Sequence, residues 1–279
     1  MRASEEFAQR FHDLHGGPGV FVLANPWDAL SARLLASLGF PALATTSAGV
    51  SWAYDKTDGE QLTRAELVEA VSRISAAVDV PVSADIEAGF GDSPAGVAET
   101  VRQVIESGAV GINLEDGTRS RDEPLLGKAD HAARIRAARE AALELGLGLF
   151  INGRTDVYLR GVGDPAGRFE HAVERAHAYI EAGSDGIFIP GVSDIDLIGR
   201  LVEAIPAPLN VIVMDGTPPV ADLEKAGLRR LSTGGRLAQA VLGLLSQAAT
   251  ELRDKGTYDK IFEYAMPYPD IQTLFRRDS

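Results

Sequence analysis

Eight short β-rich runs alternating with amphipathic helical stretches predict a (β/α)8 barrel over residues 1–256, followed by extra C-terminal helices in an arm over residues 257–279. Three observations carry that expectation. The alternation runs without a composition break, glycine or proline punctuates most junctions, and polar residues gather at the ends of the runs. Alternation alone would also suit a doubly wound open sheet. The strand count and chain length favour the barrel.

In chain order the runs are 20-VFVLAN-25, 41-PALATTS-47, 80-VPVSADIE-87, 110-VGINLED-116, 148-GLFINGRTD-156, 186-GIFIP-190, 209-LNVIVMD-215 and 228-LRRLST-233. Val, Ile and Phe recur in them, as suits strands of a buried parallel sheet. Between them lie helical stretches such as 27-WDALSARLLASLG-39, 63-TRAELVEAVSRISAAV-78 and 165-PAGRFEHAVERAHAYIEAG-183. Thr63 and Glu66 are spaced as a capping box, and Gly39, Gly108, Gly146 and Gly183 suit the left-handed position just past a helix end. The arm, 257-TYDKIFEYAMPYPDIQTLFRRDS-279, holds more large apolar groups than a closed barrel needs. It either covers the barrel's flank or docks on another subunit.

Composition narrows the partners. The chain has 279 residues, is 45% hydrophobic and 24% charged, and carries a net charge of −13. Such acidity argues against nucleic acid and anionic membranes, both of which need a basic patch. With no cysteine, disulfides, thiolate zinc sites and a cysteine nucleophile are excluded. No apolar run approaches the roughly 20 residues of a membrane helix, and MRASEEFAQRFHDLH is too polar for a signal peptide. A cytoplasmic protein is the expectation.

On a barrel, the polar strand ends share one rim, where active sites are built. Asp85 and Glu87 end the third run two residues apart, so period-2 geometry puts both on one face. Glu115 and Asp116 end the fourth, Arg154 and Asp156 the fifth, and Thr46 and Ser47 the second, with Asp58 in the following loop. Converging carboxylates would repel one another, and a hard divalent cation removes that cost. All-oxygen ligands without His or Cys suit Mg²⁺ or Mn²⁺. Arg154 is then a cation able to grip a substrate carboxylate. Trp27, opening the first helix, either lines the mouth or staples the helix.

The segments 43-LATTSAGVSWA-53, 83-SADIEAGFGD-92, 112-INLEDG-117 and 153-GRTDVYL-159 resemble the isocitrate lyase/phosphoenolpyruvate mutase superfamily, in order and spacing, through nearly the whole barrel. The resemblance implies a barrel with a C-terminal helix swapped between subunits, assembled as a homotetrameric dimer of dimers. It implies Mg²⁺ or Mn²⁺ and small 2-oxo or 2-hydroxy acids, cleaved or formed at a C–C or P–C bond. Carried over by match, Asp85 touches the metal, while Glu87, Glu115 and Asp58 hold metal-bound waters. Arg154 binds a substrate carboxylate or enolate oxygen, Thr46, Ser47 and Ala48 meet the substrate carboxylate, and Asn210 reaches the substrate from the seventh strand. The loop 117-GTRSRDEPLLGKADH-131 carries neither the Lys-Lys-Cys-Gly-His motif of the lyases nor the phosphonomutase pattern.

The expected activity is therefore a Mg²⁺-dependent lyase acting on a small 2-oxo or 2-hydroxy acid through an enolate. A P–C bond enzyme of phosphonopyruvate type is the nearest rival, and a non-catalytic barrel that binds oxo acids is the third reading.

Overall fold

All eight predicted runs form strands in the computed structural model, which describes residues 3–276. The last three residues of the predicted arm, 277–279, lie outside the described residues. In order, the elements are α1 (Glu5–Gly16), β1 (Phe21–Leu23), α2 (Ala29–Ser37), β2 (Leu43–Ala44), α3 (Ser47–Ala53), α4 (Arg64–Ser75) and β3 (Val82–Asp85). Then come α5 (Pro94–Glu106), β4 (Gly111–Glu115), α6 (Lys128–Glu144), β5 (Phe150–Arg154), α7 (Arg168–Glu181), β6 (Gly186–Phe188) and α8 (Ile195–Ala204). The chain ends with β7 (Leu209–Ile212), α9 (Val220–Lys225), β8 (Arg230–Ser232), α10 (Arg236–Lys255), α11 (Asp259–Glu263) and α12 (Tyr268–Thr273).

The strands are parallel and run in the order β1-β8-β7-β6-β5-β4-β3-β2, and a bridge between Ala24 and Leu43 closes the ring. That is the predicted (β/α)8 barrel. The helix ends follow local chemistry. Thr63 and Glu66 form the capping box of α4, and Gly39, Gly108, Gly146 and Gly183 all take positive φ.

Alternation along each strand sorts side chains between two environments. Ile112 and Leu114 of β4 join the apolar layer with Val101, Val104 and Ile135 of the surrounding helices. Asn113 faces inward, where Asn152 donates to its Oδ1 at 2.9 Å and Arg230 at 3.1 Å. Helix α1 plugs the opposite end of the barrel. Phe11 packs edge-on against Phe150 at 5.5 Å, and His15 stacks on the same ring at 3.8 Å. Gly111 makes this close approach possible, since a Cβ there would meet Phe11 Cε1 at 2.8 Å.

Residues 47–53, which follow the second strand, form the short helix α3 with Thr46 at its N-cap position. Gly49 of α3 lies against Trp27, where a Cβ would come within 2.8 Å of the Trp27 Cβ. The tail beyond α10 is largely exposed, but it returns to its own barrel. Arg33 of α2 donates to the Leu274 carbonyl at 3.1 Å, and its guanidinium stands 5.7 Å from the Phe275 ring.

Candidate active site

Strand β3 delivers the first carboxylate. Its last residue, Asp85, is fixed when its N–H donates to Thr45 Oγ1 at 2.8 Å. The Asp85 carboxylate accepts from the Ser47 N–H at 3.2 Å, at the start of α3. Two residues later the strand geometry ends, because Glu87 has φ 47°. The Glu87 carboxylate accepts from the Glu60 N–H at 2.5 Å and lies 4% exposed.

Strands β4 and β5 deliver the opposite charges side by side, since Glu115 pairs in register with Arg154. Arg154 Nη1 lies 2.7 Å from Glu115 Oε2. Its Nε donates to Asp156 Oδ1 at 2.7 Å and its Nη2 to Asp156 Oδ2 at 3.2 Å. A guanidinium has five N–H donors, so Arg154 keeps donor capacity beyond these contacts. It is also seated over the Phe188 ring at 5.4 Å.

Burial sets the electrostatics. It pushes the Asp85 carboxyl up against the pull of Arg154 and the Ser47 N–H. Burial, then Asp85 and Asp58, push Glu87 up to about 8. Burial also holds Glu115 well above the usual carboxylate range, even beside Arg154. Although burial opposes its charge, Arg154 is held cationic by Asp156, Glu115 and Asp85. Buried together, these carboxyls favour their protonated forms unless a further cation joins them, because Arg154 does not offset their burial.

Two cavities flank the cluster. The barrel mouth holds about 320 Å³, with Thr46, Ser47, Asp58, Asp85 and Arg154 on its polar side. Trp52, Leu159, Phe188, Ile212 and Met214 form an apolar side. A neighbouring cavity of about 470 Å³ is bordered by Glu87 and Glu115, with Glu60, Arg119 and Arg134. The expectation that Asp85 and Glu87 share one face is therefore corrected. They belong to one electrostatic cluster but border different cavities, because the left-handed turn at Glu87 breaks the period-2 geometry.

Among the described residues, no three His, Cys, Asp or Glu side chains enclose an ion by themselves. The donor set nevertheless fits a hard cation. It is all oxygen, buried and short of positive charge, and Mg²⁺ commonly takes one or two carboxylates and completes its shell with water.

The other predicted residues divide. Thr46, Ser47 and Ala48 border the mouth, and so does Asp58. Asn210 lies below it, fully buried, accepting from Asn152 at 3.1 Å and donating to Ser232 Oγ at 3.1 Å. Trp27 borders a separate groove on the flank with Tyr54 and Phe275. Asn25 also borders the mouth, where its Oδ1 accepts from the Thr233 and Gly234 N–H groups at 2.8 and 2.9 Å. As the polar last residue of the first run, it was detectable in the sequence. Arg230 was not. It sits 1% exposed inside the barrel, and burial pushes its guanidinium down to about 9.

A family model described as phosphoenolpyruvate phosphomutase matches residues 11–253. An uncharacterized protein of Mycobacterium tuberculosis strain H37Rv is 36% identical over 263 residues, 94% of each chain. Oxaloacetate decarboxylase 2 of Pseudomonas putida strain W619 is 30% identical over 230 residues, covering 80% of this chain and 72% of its own. A solved structure of a candidate lyase/mutase from Burkholderia cenocepacia J2315 superposes with TM-score 0.92 at 39% identity, covering 98% of this chain and 97% of the other.

Proposed function

The chain belongs to the phosphoenolpyruvate phosphomutase family, within the isocitrate lyase/phosphoenolpyruvate mutase superfamily, and on that premise we propose a Mg²⁺- or Mn²⁺-dependent carbon–carbon lyase acting on a small 2-oxo acid. One observation carries this reading. Asp85 and Arg154 border the barrel mouth, Arg154 reaches Glu115 at the edge of the neighbouring cavity, and burial pushes both carboxyls up.

Asp85 would hold the metal directly, with Glu87, Glu115 and Asp58 placed to hold its waters. Bound there, Mg²⁺ or Mn²⁺ supplies Lewis-acid stabilisation of charge on the substrate's oxygens. Arg154 presents its remaining N–H groups to the developing enolate oxygen, already oriented by Asp156 and Phe188. Thr46, Ser47 and Ala48 orient the substrate carboxylate, and the apolar side of the mouth excludes water from the rest of the molecule.

The described lining of the mouth includes no Cys, His, Lys or Tyr. Decarboxylation asks least of such a site. The bond to a carboxylate breaks, carbon dioxide leaves, and the enolate takes its proton from water. Oxaloacetate, named for a relative, is therefore the first substrate to test. The matched family's own description favours a second reading, P–C bond chemistry on phosphonopyruvate.

A panel of 2-oxo acids with Mg²⁺ separates them. The lyase reading expects carbon dioxide, pyruvate or glyoxylate release that vanishes in Asp85→Ala. Phosphonopyruvate turnover seen by phosphorus NMR replaces it with the second reading, and saturable binding without turnover of any panel member overturns both.

The reading extends to assembly. Leu245 of α10, with Phe262 and Tyr268 beyond it, is exposed at 62%, with 71% and 74% for the two aromatics, surplus apolar surface that a second copy of the chain would cover. Light scattering on the full chain and on a variant lacking residues 257–279 tests this. The expected assembly is a dimer of dimers, and an unchanged tetramer after truncation overturns the arm's role. No described helix is long and apolar enough to cross a membrane. A cytoplasmic location goes with the same reading.

A further inference from the structure

The loop between α3 and α4 and the turn after β3 share an unusual backbone. Glu60, Glu87 and Phe90 all take φ near +50°, at 53°, 47° and 51°. A non-glycine residue in that region is strained, because its Cβ crowds the following carbonyl oxygen. Such strain persists only where surrounding contacts hold it, and at these three positions the contacts converge on Glu60.

Those contacts form a reciprocal clasp. The Glu60 N–H donates to Glu87 Oε2 at 2.5 Å, while Glu60 Oε1 accepts from the Phe90 N–H at 2.8 Å. Glu87 is thus gripped at its carboxylate by the Glu60 backbone. The turn that carries it, closed by the Gly89 N–H on the Ile86 carbonyl at 2.8 Å, is gripped by the Glu60 side chain. From the third side Arg119, in the loop after β4, donates to the Glu60 carbonyl and lies 3.2 Å from Glu60 Oε2. Asp58, two residues upstream on the same loop, borders the mouth.

We infer that Glu60 is a positioning residue: its carboxylate, by holding the Phe90 N–H, sets where the Glu87 and Asp58 carboxylates stand and so sets divalent-metal affinity. The inference rests on the metal site of the proposed function. Glu60 itself touches neither substrate nor metal. Its side chain acts on the turn, the turn presents Glu87, and the loop presents Asp58.

Glycine tests this well, because Glu60→Gly keeps the N–H that reaches Glu87 and adopts positive φ without cost. It loses the side chain and with it the contacts to the Phe90 N–H and to Arg119. Glu60→Gln keeps an oxygen that accepts from Phe90 but drops the charge facing Arg119. Mn²⁺ binding is measured by electron paramagnetic resonance of the free ion on wild type and both variants, with circular dichroism melting alongside. The expected result is a Kd weakened about tenfold to a hundredfold in Glu60→Gly, the range for losing a partner behind a metal ligand. Glu60→Gln should stay within about threefold of wild type, since the hydrogen bond survives. Unchanged affinity in Glu60→Gly, with or without a lower melting temperature, overturns the positioning role and leaves the metal site standing. Equal weakening in both variants also overturns it, because charge rather than the hydrogen bond would be responsible. No Mn²⁺ bound by the wild type overturns the metal site and this inference together.

Discussion

Glu115 and Asp116 are neighbours in the chain, yet one faces the cavity beside the barrel mouth and the other the barrel wall. Glu115 keeps 8% of its surface, has one ion-pair partner in Arg154, and is held well above the usual carboxylate range by burial. Asp116 is fully buried and saturated. Its Oδ1 accepts from the Asp156 N–H at 2.9 Å, and its Oδ2 from Tyr179 at 2.6 Å and Arg175 Nη1 at 2.9 Å. Arg175 also donates to the Leu126 carbonyl at 3.0 Å, so this wall cluster anchors the loop after β4. A buried charge whose partners are complete builds the fold. One left short of partners is available to a ligand.

The largest expected effect breaks the wall. Asp116→Ala leaves Arg175 buried without its carboxylate, which should cost about 3–5 kcal/mol in urea denaturation. Asp116→Asn, which keeps an acceptor for Tyr179, should cost less. If Asp116→Ala melts like the wild type, the contrast with Glu115 has no energetic content.

Next comes the mouth. Glu115→Gln should lower kcat about 10²–10³-fold, the scale for losing one electrostatic contact at a reacting centre. Its melting temperature should match or exceed that of the wild type, because a poorly satisfied buried charge is removed. A large loss of stability would place Glu115 with the wall instead.

A third test uses pH. His131 is fully buried against Tyr179, with ring centroids 4.6 Å apart, and burial pushes it down to about 4. An unfolded histidine takes its proton near pH 6.5, so the stability tied to neutral His131 is complete above that value and drains as pH falls towards 4. The shift corresponds to about 3 kcal/mol at the acid end. His131 is buried against the Tyr179 ring and, among the described residues, makes no ion pair, so His131→Leu should melt close to normally at neutral pH and lose less on acidification. His15, pushed down to about 3 by burial and Arg230, should add to the acid sensitivity. Melting curves that stay parallel between the variant and wild type from pH 7 to 4 would contradict this.

The smallest effect lies where the two regions meet. Arg160 reaches Asp156 at 3.0 Å from a side chain that is about a third exposed. Arg160→Ala should cost less than about 1 kcal/mol, as for other solvent-screened pairs, and leave turnover within a few-fold. A larger loss of turnover would mean that Asp156 needs both arginines to orient Arg154.

The order of eight strands was legible because their β-branched runs and glycine stops are local signals, and the capping box at Thr63 and Glu66 was equally local. So were the rim positions of Asp85, Glu115 and Arg154, since strand ends in a parallel barrel share one rim whatever the loops do. Tertiary structure decided the rest. Period 2 placed Glu87 beside Asp85, but a left-handed φ turned it to the neighbouring cavity, where its carboxylate meets the N–H of Glu60, 27 residues away. Trp27 went to the flank because Gly49 gives it space there, and Arg230 entered the barrel because Asn113 meets it inside. Sequence spacing determines which residues reach the rim. Whether a charge there is satisfied depends on partners from other elements, and only the folded chain brings those within hydrogen-bond distance.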